Sequence, residues 1–324
     1  MAKRLTILAT IALFALFFFE LHIAEYTSEE KLVNIEPGKG VFEMSNKLRD
    51  NGVIGSVIVF NTYVFLSGKR GDLKAGSYLF DSSATTHDVV EKIYRGDVYA
   101  RTITIIEGWN LNDIATYLKE EGFGKKEEFY SITGRPPYYK EGELFEGYPA
   151  SVEVRGRDDV TMEGFLFPDT YHIPFNADMG DVVSIILKES RERMKDLSFE
   201  TVTIASLIEK EVRLMEDKKL VSGIIRERMR IGMPLQIDAT ITYLTGKRTT
   251  RVTTEETRID SPYNTYLYAG LPKGPISSPG ESSIEAAKKP KESEYLYYLS
   301  KPTGETVFSR NLEEHNIAKN EYLR

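Results

Sequence analysis

Met162-Glu163-Gly164-Phe165-Leu166-Phe167-Pro168-Asp169-Thr170-Tyr171 sets a carboxylate beside a glycine, among bulky apolar residues, just before a proline-directed turn. Apolar surroundings penalise the ionised form of a carboxylic acid and raise its pKa, as a general acid working near neutral pH requires. A glycine beside the acid lets a substrate approach the backbone. The competing reading of Glu163, as a surface or capping residue, stands at this level.

Other residues carry paired readings. Glu209 and Glu211 sit between apolar Leu207, Ile208 and Val212 in a helix-like stretch. Helical neighbours two apart point to different faces, so at most one turns easily into a cleft. Glu209 is the cleft candidate, with a structural ion pair as its other reading. Asp169, directly after Pro168, fits an N-cap or turn anchor. His315 either lines a cleft or caps the last helix. His22, His87 and His172 are too dispersed for a zinc site, and the absence of cysteine excludes disulfides, thiol nucleophiles and Cys-ligated zinc. Neither a Gly-x-Ser-x-Gly elbow nor a Gly-x-x-x-x-Gly-Lys-Ser/Thr loop occurs, which argues against a serine hydrolase or a P-loop enzyme. A net charge of −7 argues against a nucleic-acid binder, which needs clustered cations to displace phosphate counterions.

Six blocks in order resemble the endolytic murein transglycosylases, the MltG/YceG-like family. They are Glu163–Tyr171, Ile204–Glu211, Arg230–Asp238, Ser261–Tyr266, Gly270-Leu271-Pro272 with Pro279-Gly280, and Glu314-His315-Asn316. Ile237, Ala239, Lys273 and Ser278 depart from the family pattern. The resemblance implies cleavage of the β-1,4 bond between N-acetylmuramic acid and N-acetylglucosamine within glycan strands. Glu163 would protonate the glycosidic oxygen, then accept the proton of the muramyl C6 hydroxyl as it attacks C1. The resemblance also implies glycan contacts from Phe167, Asp169, Thr170, Glu209, Gln236, Asp238, Tyr263, Asn264, Thr265 and His315. For the loop residues among them, holding the loop together is the rival role. No metal or organic cofactor is implied, and peptidoglycan synthases at the membrane are implied partners. Two alternatives remain: a water-using muramidase with Asp169, Glu209 or Glu211 as second carboxylate, and a glycan-binding scaffold without catalysis.

Several elements must position these residues. Lys3 and Arg4 precede the uncharged run Leu5–Phe19, and Leu5–Ala24 as a helix spans about 30 Å, the hydrocarbon thickness. This predicts a retained single-pass anchor over residues 1–24 in a bacterial cell membrane, its basic flank inside and the rest outside. A cleaved signal peptide is the rival. At an offset of seventy residues, Ile35, Gly38, Val41, Met44, Leu48 and Gly52 recur as Ile105, Gly108, Leu111, Ile114, Leu118 and Gly122. Each copy predicts a strand, a Gly turn and a short helix stopped by Gly, with Asn110 capping the second. Such units resemble LysM-like glycan-binding modules, here over residues 25–133; plain packing units are the other reading. A Gly-, Pro- and Tyr-rich loop, 134–154, opens a catalytic region over 134–324. That region predicts helices over 181–195, 201–214 and 216–230, an irregular connection over 249–280, a hairpin around Pro302-Thr303-Gly304, and a final helix. Strands and helices do not alternate regularly, so the predicted fold class is α+β.

Overall fold

The uncharged N-terminal run forms the middle of helix α1 (Ala2–His22) in the structure, a computed structural model describing residues 2–26, 29–136, 139–140, 143–144, 161–247 and 252–323. Lys3–His22 is long and apolar enough to cross a membrane. Its apolar side chains stand exposed until the last turn, where Leu21 is buried.

Two compact units follow from the packing: Met1–Thr102 with His172–Ala177, and Ile103–Tyr171 with Asp178–Arg324. In the first, β1 (Lys31–Ile35) leads through Gly38 to α2 (Val41–Asp50), followed by α3 (Val57–Leu66), β2 (Gly76–Phe80) and α4 (Thr86–Arg95). β1 and β2 pair antiparallel with Val33 opposite Tyr78. Alternation along both strands sends Val33, Ile35, Tyr78 and Phe80 into a core with Leu48, Phe60 and Ile93. Thr85 caps α4, and Gly96 ends it in the left-handed conformation.

β3 (Ala100–Thr104) pairs with β6 (Thr170–Pro174). Between them run α5 (Leu111–Glu120), α6 (Lys126–Thr133) and the two short strands β4 (Tyr139–Lys140) and β5 (Glu143–Leu144). The second unit continues with α7 (Met179–Met194), α8 (Phe199–Glu211), α9 (Met215–Arg230), α10 (Asp238–Thr245) and α11 (Glu281–Lys288). An antiparallel hairpin of β7 (Tyr297–Ser300) and β8 (Thr306–Ser309) and helix α12 (Leu312–Tyr322) close the chain. α8 is its centre, with Val202, Ile204, Ala205, Leu207 and Ile208 fully buried and α9, α10 and α11 packed around it. All sheets among the described residues are two-stranded, so the fold is mixed α+β.

The seventy-residue repeat recurs in detail. Gly38 and Gly108 turn at φ +80° and +78°, and Gly52 and Gly122 follow the two helices at φ +72° and +80°. The closing hydrogen bonds match as well: Asn51 to Lys47 and Val53 to Leu48 recur as Glu121 to Tyr117 and Phe123 to Leu118. The second copy lies in the unit that carries Glu163.

Some expectations need correction. α8 stops at Glu211, not at residue 214, because Val212 is extended at φ −143°. Helices α3, α6, α10 and α11 are additions. α3 is apolar all round and shows no amphipathic period; α6, α10 and α11 span two turns each, too short for one. The connection before α11 is irregular apart from one 3-10 turn (Glu256–Arg258); its first part lies at the surface, while Ser261, Tyr263, Asn264, Thr265 and Ile276 are buried. Most of the expected boundary loop over 134–154 lies outside the described residues.

Candidate active site

Glu163 is 1% exposed, at the start of the Gly-Phe-Leu-Phe-Pro run. Gly164 beside it takes φ +79°, and a Cβ there would overlap Pro275. Glycine is thus required for the chain to turn against the 275–278 loop.

The second repeat copy supplies one partner of Glu163 and helix α10 the other. Asn110 caps α5 by accepting from the Asn112 and Asp113 amides at 2.9 and 3.0 Å. That leaves the Leu111 N–H, at the first turn, for Glu163: it lies 3.2 Å from Oε1 and 3.1 Å from Oε2. Unsatisfied helix N-terminal amides favour negative charge. Tyr243, from α10, donates its hydroxyl to Oε2 at 3.1 Å. Burial nevertheless dominates and pushes the Glu163 carboxyl up to about 8. The Leu111 and Tyr243 bonds pull it down and the neighbouring Asp113 charge adds to the rise. The side chain therefore holds its proton at neutral pH, as an acid donor must.

Tyr243 also lines a cavity of about 610 Å³, together with Trp109, Asn110, Asn112, Asp113, Tyr117 and Lys210. Trp109 and Tyr117 form an aromatic pair with centroids 5.3 Å apart, a surface suited to the apolar face of a sugar ring. Lys210 fixes the turn before Trp109 by donating to the Gly108 carbonyl at 3.1 Å. In the first repeat copy a smaller cavity of about 230 Å³ occupies the corresponding strand–helix groove, with Lys39, Glu43 and Lys47 where the second copy has Trp109, Asp113 and Tyr117.

The other expected site residues are scattered among supporting roles. Phe167 is a core residue whose N–H donates to Ser190 and whose ring carries Arg193 at 5.6 Å; it lines a different cavity, of about 630 Å³. Asp169 caps no helix; it anchors the turn by accepting from the Thr170 amide and from Arg193. Thr170 meets Thr104 across the strand pair at 3.1 Å. Glu209 sits in a buried ion pair with Lys218 at 3.5 Å and accepts from the Gly280 amide. Gln236 holds φ +51°, and its amide donates to the Thr265 carbonyl. Asp238 accepts from the Tyr266 hydroxyl. Asn264 and Thr265 are buried: Asn264 donates to the Thr257 and Ile259 carbonyls, and Thr265 accepts from the Ile237 amide. Tyr263 packs against Tyr243 at 5.3 Å, one step from the acid. His315 does not cap α12, whose cap is Asn311; it stacks on Tyr297 at 5.3 Å. None of these residues lines the cavity beside Glu163.

Tyr243, Trp109 and the Leu111 amide escape the sequence reading. Tyr243 lies one helical turn beyond Asp238, on a helix too short to show a period. Trp109, the sole tryptophan, follows the repeat glycine, a position that could have drawn notice.

The profile of the YceG-like family matches residues 33–321, and the chain belongs to that family. It is similar to the endolytic murein transglycosylase of Bacillus subtilis (strain 168), with 33% identity over 90% of this chain and 84% of that one. To the endolytic murein transglycosylase of Streptococcus pneumoniae (R6) it is 30% identical over 89% of its length, and it spans 58% of that longer protein. Among solved structures, the crystal structure of a putative yceG-like protein from Listeria monocytogenes matches with a TM-score of 0.56 and 29% identity, covering 91% of this chain and all of the other.

Proposed function

We propose that this chain is a lyase, an endolytic murein transglycosylase, with Glu163 as its acid and base. It cleaves the β-1,4 bond between N-acetylmuramic acid and N-acetylglucosamine inside glycan strands and so limits their elongation. The observation that carries the reading is one carboxyl, buried and raised to about 8, joined through Tyr243 to a cavity with an aromatic wall. Protonated Glu163 gives its proton to the glycosidic oxygen as the C1–O bond breaks and the bonding pair leaves with that oxygen. The resulting carboxylate is stabilised by the Leu111 N–H and the Tyr243 hydroxyl. It then takes the proton of the muramyl C6 hydroxyl as O6 bonds to C1, closing a 1,6-anhydro ring. The acid ends protonated, ready for another cycle, and no water is consumed. A tethered hydroxyl near C1 has an effective concentration up to about 10⁵ M or more when well oriented. Since Glu163 is almost wholly covered, the wall between it and the cavity must open for the scissile bond to reach it.

The hydrolytic alternative needs a second carboxylate at a defined separation. Asp169, Glu209 and Glu211 do not line the cavity. Glu107, Asp113 and Glu120 do line it, and Asp113 is half of the α5 capping box, accepting from the Asn110 amide at 3.2 Å. Its charge raises the Glu163 pKa, a supporting role.

In this reading α1 is the single-pass anchor in the cell membrane, Lys3 and Arg4 inside and the cavity on the outer side, where the glycan lies. The repeat is LysM-like and helps to hold glycan strands. Digestion of peptidoglycan in heavy-oxygen water tests the reaction. Internal attack leaves an unlabelled anhydro end on fragments of mixed length, whereas a labelled reducing muramyl end as main product would overturn the assignment.

A further inference from the structure

Helix α3 carries no charged residue, although three of its ten residues are exposed. Phe60 and Val64 point into the core, while Ile58 and Phe65, seven apart and therefore on one face, are 77% and 68% exposed. Leu66 beside them is 72% exposed, and Phe42 on the neighbouring α2 is 66% exposed. Helix α2 packs on α3, and Ser45, whose hydroxyl donates to the Phe42 carbonyl, also bonds Asn61 of α3. A solvent-facing helix surface should be polar, and a contiguous apolar patch marks a surface with a partner.

What lies beside this patch identifies the partner. The last turn of α1 packs on α3 and α4. The rings of His22 and His87 meet at a tilt with centroids 4.9 Å apart, those of His87 and Tyr63 of α3 likewise at 5.5 Å, and the Tyr26 ring lies against Gly55, just before α3. The rest of α1 projects with its apolar side chains exposed. Where α1 leaves the bilayer, α3 must therefore lie at the same level. Exposed Arg70 lies four residues past the end of α3, and a cation near a membrane surface is attracted by lipid phosphates.

We propose that the Phe42, Ile58, Phe65 and Leu66 face is a second membrane contact, inserted in the lipid interface beside α1 and fixing the first unit against the bilayer. This rests on the anchoring reading of α1. An apolar helix face of this kind sinks about 5–10 Å into the headgroup–acyl boundary.

The chain has no cysteine, so a single introduced thiol can be labelled uniquely. The full chain would be reconstituted in phosphatidylglycerol–phosphatidylcholine vesicles with an environment-sensitive fluorophore at Phe65→Cys, Ile58→Cys or Leu66→Cys. Leu16→Cys reports the anchor, and Glu192→Cys, on α7, reports the aqueous phase. The expected result is loss of fluorescence at 58, 65 and 66 with lipids spin-labelled near the headgroup. Position 16 should respond to lipids labelled deep in the acyl chain, and position 192 to neither. Quenching at 16 with 58, 65 and 66 behaving like 192 would overturn the proposal and leave the anchor standing. Protection of these positions from aqueous iodide without lipid quenching would indicate a protein cover and overturn it equally. Quenching at 58, 65 and 66 without 16 would uphold the contact and remove the anchor.

Discussion

Tyr243 and Glu163 are eighty residues apart in the chain, yet the Tyr243 hydroxyl donates to Oε2 of Glu163 at 3.1 Å. One side chain thereby forms part of the cavity wall and holds the buried acid. The Tyr243 bond favours the ionised carboxyl and partly offsets the effect of burial. In Tyr243→Phe the Glu163 pKa should rise above about 8, and the alkaline limb of the kcat/KM profile should move to higher pH. Loss of a hydrogen bond to the developing carboxylate costs about 1–3 kcal/mol, so the maximal rate should fall roughly tenfold to hundredfold. An unmoved alkaline limb would detach Tyr243 from the acid.

Glu163→Gln keeps the shape and removes the transferable proton. Turnover of peptidoglycan should fall by at least about 10²–10⁴-fold, while glycan binding persists. Near-normal turnover by a folded variant would exclude Glu163 as the acid.

The same substitution changes the pH dependence of stability. The folded chain holds the Glu163 proton up to about 8, whereas the unfolded chain releases it near 4.5. Below that range both states are protonated; across it the folded state binds more protons, so stability falls as pH rises until the folded state also ionises. Glu211, pushed to about 7 by burial, acts in the same direction and remains in the variant. Thermal unfolding of the two proteins should therefore differ in slope between about 4.5 and 8, with the wild type losing more. Parallel curves would mean that Glu163 is not buried as described.

Gly164→Ala tests the turn. The left-handed backbone and the overlap with Pro275 together should destabilise the protein by roughly 2–5 kcal/mol. Urea unfolding gives the value, and a neutral result would show that the 275–278 loop yields freely.

Lys218→Met leaves Glu209 with a buried charge short of its partner. Lys218 donates to Glu209 at 3.5 Å and to Ser282 at 2.8 Å, and it is itself buried. The loss should be about 3–5 kcal/mol, with a smaller loss in the double variant Lys218→Met, Glu209→Gln. Additive losses would remove the pair.

The local grammar of the sequence is readable in the structure wherever capping and turns decide the outcome. Asn110, Gly38 and Gly108 act at the expected positions because each answers to its immediate neighbours. The burial of Glu163 agrees with the apolar run that follows it in the sequence. The partners of Glu163 are not legible there. Tyr243 comes from a two-turn helix, and the Leu111 amide is a backbone group that no residue type announces. Asn264 and Thr265 look like sugar contacts by chemistry; tertiary packing turns them inward to satisfy the backbone of a buried loop instead.

The Leu111 amide has a consequence beyond catalysis. Its hydrogen faces both oxygens of Glu163, and Leu111 itself is fully buried, so its shift responds directly to that carboxyl. Its nitrogen–proton resonance is therefore a built-in indicator of the acid. One backbone peak, followed by NMR, records the charge on Glu163 with no label near the glycan, and distinguishes an empty site from one that has just surrendered its proton.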